Sequence, residues 1–287
     1  MTMLEALQLL PSAVAGFFHY VFGGYIAELE AAPQQAAMFL LPVVAIGLAL
    51  AMPALRAPRF EVARGMVLAL LMFAALAGGV CYWKSSWWSN RYLNSYEFFH
   101  YYVGSKYWKE LGYTDLYKAT NVALSEAGRR DLAPNVRDLK ANKVVRTTEV
   151  LQQAAEEKAK FSPARWEEFK KDVSFFRGNF GGPTSWNKLM MDKGYNPPPM
   201  WTMIGGTLAN WVPTSNYWGM QSLVMIDVLF MAIAAGFVCW VFGPRAMFLM
   251  VLVMSTQYVT SHWHMKGAFM RMDWVMGLIV AACLLKK

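Results

Sequence analysis

The chain has 287 residues, of which 56% are hydrophobic and 16% charged, and a formal net charge of +8. Soluble domains carry roughly 25% charged residues, so this composition points to lipid and away from a water-soluble globule. The basic residues are interleaved with acids and form no Arg/Lys run with stacking aromatics, which argues against a nucleic-acid partner.

Charge is unevenly placed. Residues 84–200 hold 19 Lys/Arg and 13 Asp/Glu, leaving 8 basic and 6 acidic residues for the rest. This is the pattern of a membrane body carrying one polar insert. Cys81, Cys239 and Cys283 sit in apolar runs without CxxC spacing and read as small buried hydrophobes.

Residues 4–29 are apolar and follow an N-terminus with neither a basic start nor a small-residue cleavage site, so the stretch is expected to be retained. Pro11, His19, Gly23 and Gly24 make it either a kinked span or a helix lying in the interface. A crossing takes about 20 mainly apolar residues. The candidates are 36–55, 65–83, 219–241, 246–261 and 268–285. The expected fold is an all-α integral membrane protein with about five to six transmembrane helices and one large extracytoplasmic helical loop domain. Its expected parts are residues 1–83, the loop domain 84–200, and a membrane-surface helix with three transmembrane helices in 201–287.

Lys and Arg near span ends stay cytoplasmic. Arg56, Arg59 and Arg64 mark one such turn, Arg245 a second, and Lys286 with Lys287 a third. These marks agree if residues 84–200 and the 262–266 turn lie outside a plasma (inner) membrane and if 200–212 does not cross. That segment reads as a surface or re-entrant helix ended by Pro213.

Within the insert, residues 97–111 read as an aromatic helix near the lipid surface, stopped by Gly112. Trp83, Trp87, Trp88, Tyr92, Tyr96, Tyr101, Tyr102 and Trp108 fit a belt at the headgroup layer. Residues 149–160 and 163–176 look like soluble helices, the second opened by a Ser162-Pro163 cap signal.

Two acids, Glu97 and Asp273, fall just outside the expected spans on the same side. A carboxylate at an aromatic-lined membrane surface is where a general base for a lipid-linked substrate is needed. Each equally fits a solvated helix-end charge favoured by the helix dipole. His262 and His264 flank Trp263; with no third ligand nearby no metal site is expected, and they suit hydrogen bonds to phosphate or sugar. His100 either tunes Glu97 or simply belongs to the aromatic helix. Asp227, deep within a span, is either a functional acid or packing glue between helices.

The segment Glu97-Phe-Phe-His-Tyr-Tyr-Val-Gly-Ser-Lys-Tyr-Trp, continuing to Glu110-Leu-Gly-Tyr-Thr-Asp-Leu-Tyr117, resembles the first external loop of C-type glycosyltransferases. It is closest in pattern to polyprenol-phosphate-mannose-dependent mannosyltransferases: an acid, a Tyr pair, small residues, a Gly and a Leu-Tyr. Tyr195-Asn-Pro-Pro-Pro-Met-Trp201 is similar to that family's Tyr-Pro-Pro segment, and Arg271-Met-Asp273 to the acidic motif of its second external loop. The three occur in the family's order across residues 65–287.

The resemblance implies transfer of a sugar, mannose by that family's habit, from a polyprenyl-phosphate donor to an extracytoplasmic acceptor, with inversion at the anomeric carbon. Glu97 takes the place of the catalytic base, where the family usually has Asp. Asp273 would orient acceptor or phosphate, and Arg271 or Lys266 would pair with the donor phosphate, neutralisation of lipid headgroups being the other reading of these cations. Tyr101, Tyr102, His262 and His264 complete the expected substrate contacts. A polyprenyl-phosphate leaving group needs no nucleotide, so no Gly-rich phosphate loop and no cofactor are expected. The family fold has more spans than the roughly six available here. The chain therefore corresponds to an N-terminal half, to one of two membrane polypeptides that complete the fold together, or to a non-catalytic subunit that scaffolds a membrane complex.

Overall fold

A computed structural model describes residues 42–83, 93–256 and 264–287. The stretch 4–29, the start of 36–55, and Trp87, Trp88, Tyr92 and His262 lie outside the described residues. The chain is mostly helical and divides into two compact units. One gathers residues up to 83, residues 227–256 and 264–266, and Arg271–Lys287; the other is Leu93–Ile226 with Gly267–Met270.

In the first unit, α1 (Pro42–Leu55) tightens into a 3₁₀ turn at Met52–Leu55. After the basic turn, α2 (Glu61–Trp83) has no charged residue beyond Arg64. The stretch Pro58–Gly79 is 22 residues long with a mean hydropathy of 1.9, and at 1.5 Å per residue it reaches about 33 Å against roughly 30 Å of hydrocarbon. It is long and apolar enough to cross a membrane. Its apolar side chains do not form a buried core: Val62, Met66, Leu70, Phe73 and Leu76 are all exposed. On its covered side, Leu71 and Ala75 pack with Ala45 and Leu252. Gly78 permits this approach, since a Cβ there would stand 2.5 Å from Ser255 Oγ.

The second unit contains most of the charge. It opens with α3 (Ser95–Phe98), a π-helical turn at Phe99–Val103, α4 (Gly104–Lys106) and α5 (Trp108–Leu111), which Gly112 ends at φ 54°. Then come α6 (Leu116–Glu126), a hairpin of β1 (Asn135–Asp138) and β2 (Lys143–Arg146), α7 (Thr147–Gln152), α8 (Ala154–Lys158), α9 (Pro163–Gly178) and α10 (Pro183–Met190). The hairpin corrects an all-α expectation. Its strands pair antiparallel, with Val136 opposite Val145. Asp138 Oδ1 accepts from the Lys140 and Ala141 amides, and Asn142 takes φ 52°, so a side-chain-stabilised turn rather than strand length closes it. The expected cap is present: Ser162 accepts from Arg165 N at the start of α9.

α11 (Pro199–Trp211) is followed by α12 (Tyr217–Phe242), the second helix long and apolar enough to cross a membrane, with a mean hydropathy of 2.3. α13 (Pro244–Thr256) is a shorter apolar helix. The last, α14 (Asp273–Lys286), starts five residues later than the 268–285 expectation. Gly267 and Met270 both hold positive φ, which breaks the backbone ahead of it. Ala234, Met272 and Met276 form a buried cluster with Met231, Met250, Met254 and Met265 packed around it, so these methionines fill a core between helices.

Burial overturns one expectation outright. Tyr101 and Tyr102 are not headgroup-belt residues but buried in the second unit, together with Phe98 and Phe99. Their rings pack on Trp201, Tyr195 and Phe176, and their hydroxyls reach Asn196 Oδ1 and the Val212 carbonyl, at 3.2 and 2.6 Å. An aromatic whose polar end finds a partner inside loses its reason to seek the interface.

A charged group sits at the centre of this unit. Lys106, its side chain closed to water, pairs with Asp172 and Glu168 at 2.8 Å each and donates to Tyr102 OH at 3.3 Å. Asp172 also accepts from Tyr107 OH at 2.8 Å and Thr214 Oγ1 at 2.7 Å. Removing one member of a buried pair leaves the other uncompensated, at a cost of about 3–5 kcal/mol. Lys106→Met is therefore expected to lower the thermal midpoint of the purified chain sharply, read by tryptophan fluorescence; an unchanged midpoint would show that the pair does not hold the unit together.

Candidate functional site

The candidate base Glu97 occupies the third position of α3. Asn94 caps that helix by accepting from the Glu97 amide at 3.3 Å, and the Asn94 amide in turn donates to the Gly267 carbonyl at 2.8 Å. Glu97 is 6% exposed. Directly after it the chain inserts the π turn, a distortion that costs hydrogen-bond regularity and is frequent at functional sites. The turn rotates His100, Tyr101 and Tyr102 into the interior, where all three are buried.

His100, three residues after Glu97, belongs to a cluster that sequence reasoning names only in part. His100 Nε2 lies 2.7 Å from Tyr117 OH and 3.9 Å from Asp192 Oδ2, and Tyr117 OH accepts from the Gly194 amide at 2.9 Å. Tyr96 stacks edge-on against His100. Burial, a hydrogen bond to Asp192 and the nearby Glu97 charge all hold the Tyr96 phenol above its ordinary range, so it remains a neutral donor. Burial does the same to Tyr117. Asp192, at 39% side-chain exposure, is the water-facing end of the cluster. Asp192, Tyr117 and Tyr96 have no local sequence signal in common; only their meeting across 96 to 194 marks them.

Two of the three segments that carry the family resemblance, the one opening at Glu97 and Tyr195–Trp201, pack together in this unit, whereas Arg271–Asp273 belongs to the first unit. Tyr101 donates to Asn196 and lies edge-on to Trp201 at 5.0 Å. Gly104 faces the Tyr195 ring so closely that a Cβ would fall 2.5 Å from ring carbons. Trp201 Nε1 donates to the Met270 carbonyl at 2.9 Å, and Phe98 stacks on Phe269 at 5.4 Å. The segment Gly267–Met270, just ahead of Arg271, is thus built into the same core as Glu97.

The remaining predicted residues belong to the first unit. Asp273 is the first residue of α14, and Arg271, Lys266 and His264 precede it at intermediate exposure. Asp227 has a defined structural role, since its carboxylate accepts from the amides of Arg271 at 2.9 Å and Met272 at 3.0 Å. It ties α12 to the backbone just ahead of α14, which fits the packing half of the choice the sequence leaves open. Among the described residues no group of three or more His, Cys, Asp or Glu is arranged to hold a metal ion.

A separate groove of about 750 Å³ runs between α11 and the α4–α5 segment, walled by Ser105, Trp108, Lys109, Glu110, Met203 and Trp211 among others. None of the sequence-predicted site residues lines it.

No protein-family model matches the sequence, and no curated protein or solved structure is significantly similar to it.

Gly104→Ala tests whether the convergence matters. Overpacking against a fixed aromatic costs about 1–3 kcal/mol; the expected result is a lower thermal midpoint, with tryptophan emission shifted as Trp201 loses its seat. A midpoint within error of the parent chain would mean that Tyr195 moves freely and the segments are only loosely joined.

Proposed function

We propose that the chain is a multi-pass protein of the plasma (inner) membrane, with residues 84–200 extracytoplasmic, that transfers a sugar from a polyprenyl-phosphate donor to an acceptor hydroxyl. The observation that supports this reading is the seating of Glu97. The segment that carries it and the distant Tyr195–Trp201 segment, each similar to a motif of C-type glycosyltransferases, pack against each other in one core, which Gly267–Met270 joins. The two helices long enough to cross a membrane, with their apolar surfaces uncovered, supply the lipid setting that such a donor requires.

In this reading Glu97 removes the proton of the acceptor hydroxyl as its oxygen attacks the anomeric carbon. The bond from that carbon to the phosphate oxygen breaks on the opposite face, and polyprenyl phosphate leaves with the electron pair. Asp273 orients the acceptor, while Arg271, Lys266, His262 and His264 serve the phosphate and the sugar. Tyr101 and Tyr102 act differently from a direct substrate contact: buried, with their hydroxyls committed to Asn196 and Val212, they position the π turn behind Glu97. Mannose is the donor sugar to test first, and a second membrane polypeptide would complete the groove for the lipid.

One observation favours a second reading, a non-catalytic subunit whose outer domain binds a partner in a membrane complex. The 750 Å³ groove contains none of the residues assigned to chemistry, whereas enzyme pockets usually hold theirs.

Membranes containing the full chain, supplied with polyprenyl-phosphate-[³H]mannose, separate the two. Transfer is expected, and Glu97→Gln is expected to reduce it by about 10²–10⁴-fold, the contribution typical of a general base. Transfer unaffected by the substitution removes Glu97 from the mechanism. Absence of transfer by folded parent chain, with or without co-purified membrane partners, favours the subunit.

A further inference from the structure

α11 contains no charged residue anywhere between Pro199 and Trp211. Its inner face is fully occupied: Trp201, Thr202, Gly205, Gly206 and Ala209 are buried, and Gly206 comes so close to α4 that a Cβ would meet the Ser105 carbonyl oxygen at 2.8 Å. Its outer face is the reverse of what water selects. Met200, Met203, Ile204 and Trp211 are 69%, 70%, 47% and 73% exposed and recur at helical spacing along one side.

The chain around this face indicates its occupant. At 1.5 Å per residue the 13 residues of α11 span about 20 Å, too short to cross some 30 Å of hydrocarbon. Yet α12 begins at Tyr217, and its exposed first residues, Tyr217 and Trp218, lead directly into a helix apolar enough to cross. Tyr and Trp rings concentrate at the headgroup layer because one end is apolar and the other polar. The groove beside Met203 and Trp211 is also lined by Lys109, which is exposed, and by Glu110, which Arg165 pairs, leaving Lys109 able to meet a headgroup phosphate.

We infer that the outer face of α11 rests in the boundary between headgroups and acyl chains of a lipid bilayer, with the helix axis along the membrane plane. The ligand of this surface is the bilayer itself. A second copy of the chain would need polar groups to set its register, and this face offers only Thr207 and Asn210 beside its apolar residues. The assignment does not depend on sugar transfer, but it excludes a protein partner seated over Met203 and Trp211 in the groove.

The test uses the full chain in nanodiscs of phosphatidylethanolamine and phosphatidylglycerol, with Cys81, Cys239 and Cys283 replaced and single spin labels at Met203→Cys or Ile204→Cys. A label at the exposed Gln152 of α7 is the aqueous reference. Collision with oxygen relative to a water-soluble nickel chelate is expected to be severalfold higher at 203 and 204 than at 152. Nickel collision equal to that at 152 places the face in water and overturns the inference. Exclusion of both reagents means that protein covers it, which overturns the inference equally. To guard against misfolding of the cysteine-free chain, the parent chain is also photolabelled with a diazirine phospholipid. Adducts are expected on residues 200–211 as well as on α12, and adducts on α12 alone refute a lipid-seated α11.

Discussion

The ion pair between Lys106 and Asp172 is the constraint on which the second unit depends. Desolvating each ion costs several kcal/mol, recovered only when the remaining donors and acceptors are also satisfied. Here they are. The ammonium faces Asp172, Glu168 and the Tyr102 hydroxyl, and the carboxylate faces Lys106, Tyr107 and Thr214. Those partners come from the π turn, α4 and the residue after it, α9 and the loop before α12, so the position of each is fixed by the requirement that no charge be left bare. Arg165 adds an outer layer by bonding Glu110, Glu168 and the Lys106 carbonyl.

Fixing Lys106 at the end of α4 fixes the π turn that precedes it, and with it the direction in which Glu97 enters the core. The turn could not close without Gly104, which lets Tyr195 lie against the backbone, or without Ser105, whose hydroxyl bonds back to the Tyr101 and Tyr102 carbonyls. The Glu97 amide is thereby held by Asn94, and its neighbours Phe98 and Tyr101 are packed on Phe269 and Trp201. A buried carboxylate on a fixed backbone suits a base and equally suits a structural anchor.

Much of the local architecture is legible in the sequence because local residues dictate it. Ser162 with Pro163 starts a helix, Gly112 stops one, and Pro213 follows the end of α11, each through backbone geometry that a short window contains. The apolar lengths of α2 and α12 are equally plain. What a short window does not contain are pairings across distance: Tyr107 with Asp172 is 65 residues apart, and Tyr102 with the Val212 carbonyl 110. Those pairings reverse the reading of Tyr101 and Tyr102, since a run of amphipathic rings fits a headgroup belt and a hydrogen-bonded core alike. Asp192 is invisible in the sequence for the same reason, and Tyr117 shows there only as the end of a motif, with no sign of its pairing with His100. Asp227 stands out there as anomalous, but its partners are backbone amides of residues 271 and 272, which no side-chain pattern announces.

The two kinds of surface in this chain also explain each other. A domain with 19 basic and 13 acidic residues within 84–200 is soluble on most of its area. It nevertheless ends in an uncharged helix and then an apolar one. If α11 faced water, its exposed methionines and tryptophan would each forgo about 1.5–3 kcal/mol of transfer free energy, and selection could recover that with a few lysines. Their position beside Lys109, on a helix whose other face is already packed, is consistent with a surface whose solvent changes along the domain. Glu97 and α11 are held by one core, through Tyr101 and Trp201, so seating α11 on lipid would also set the height of the candidate base above it.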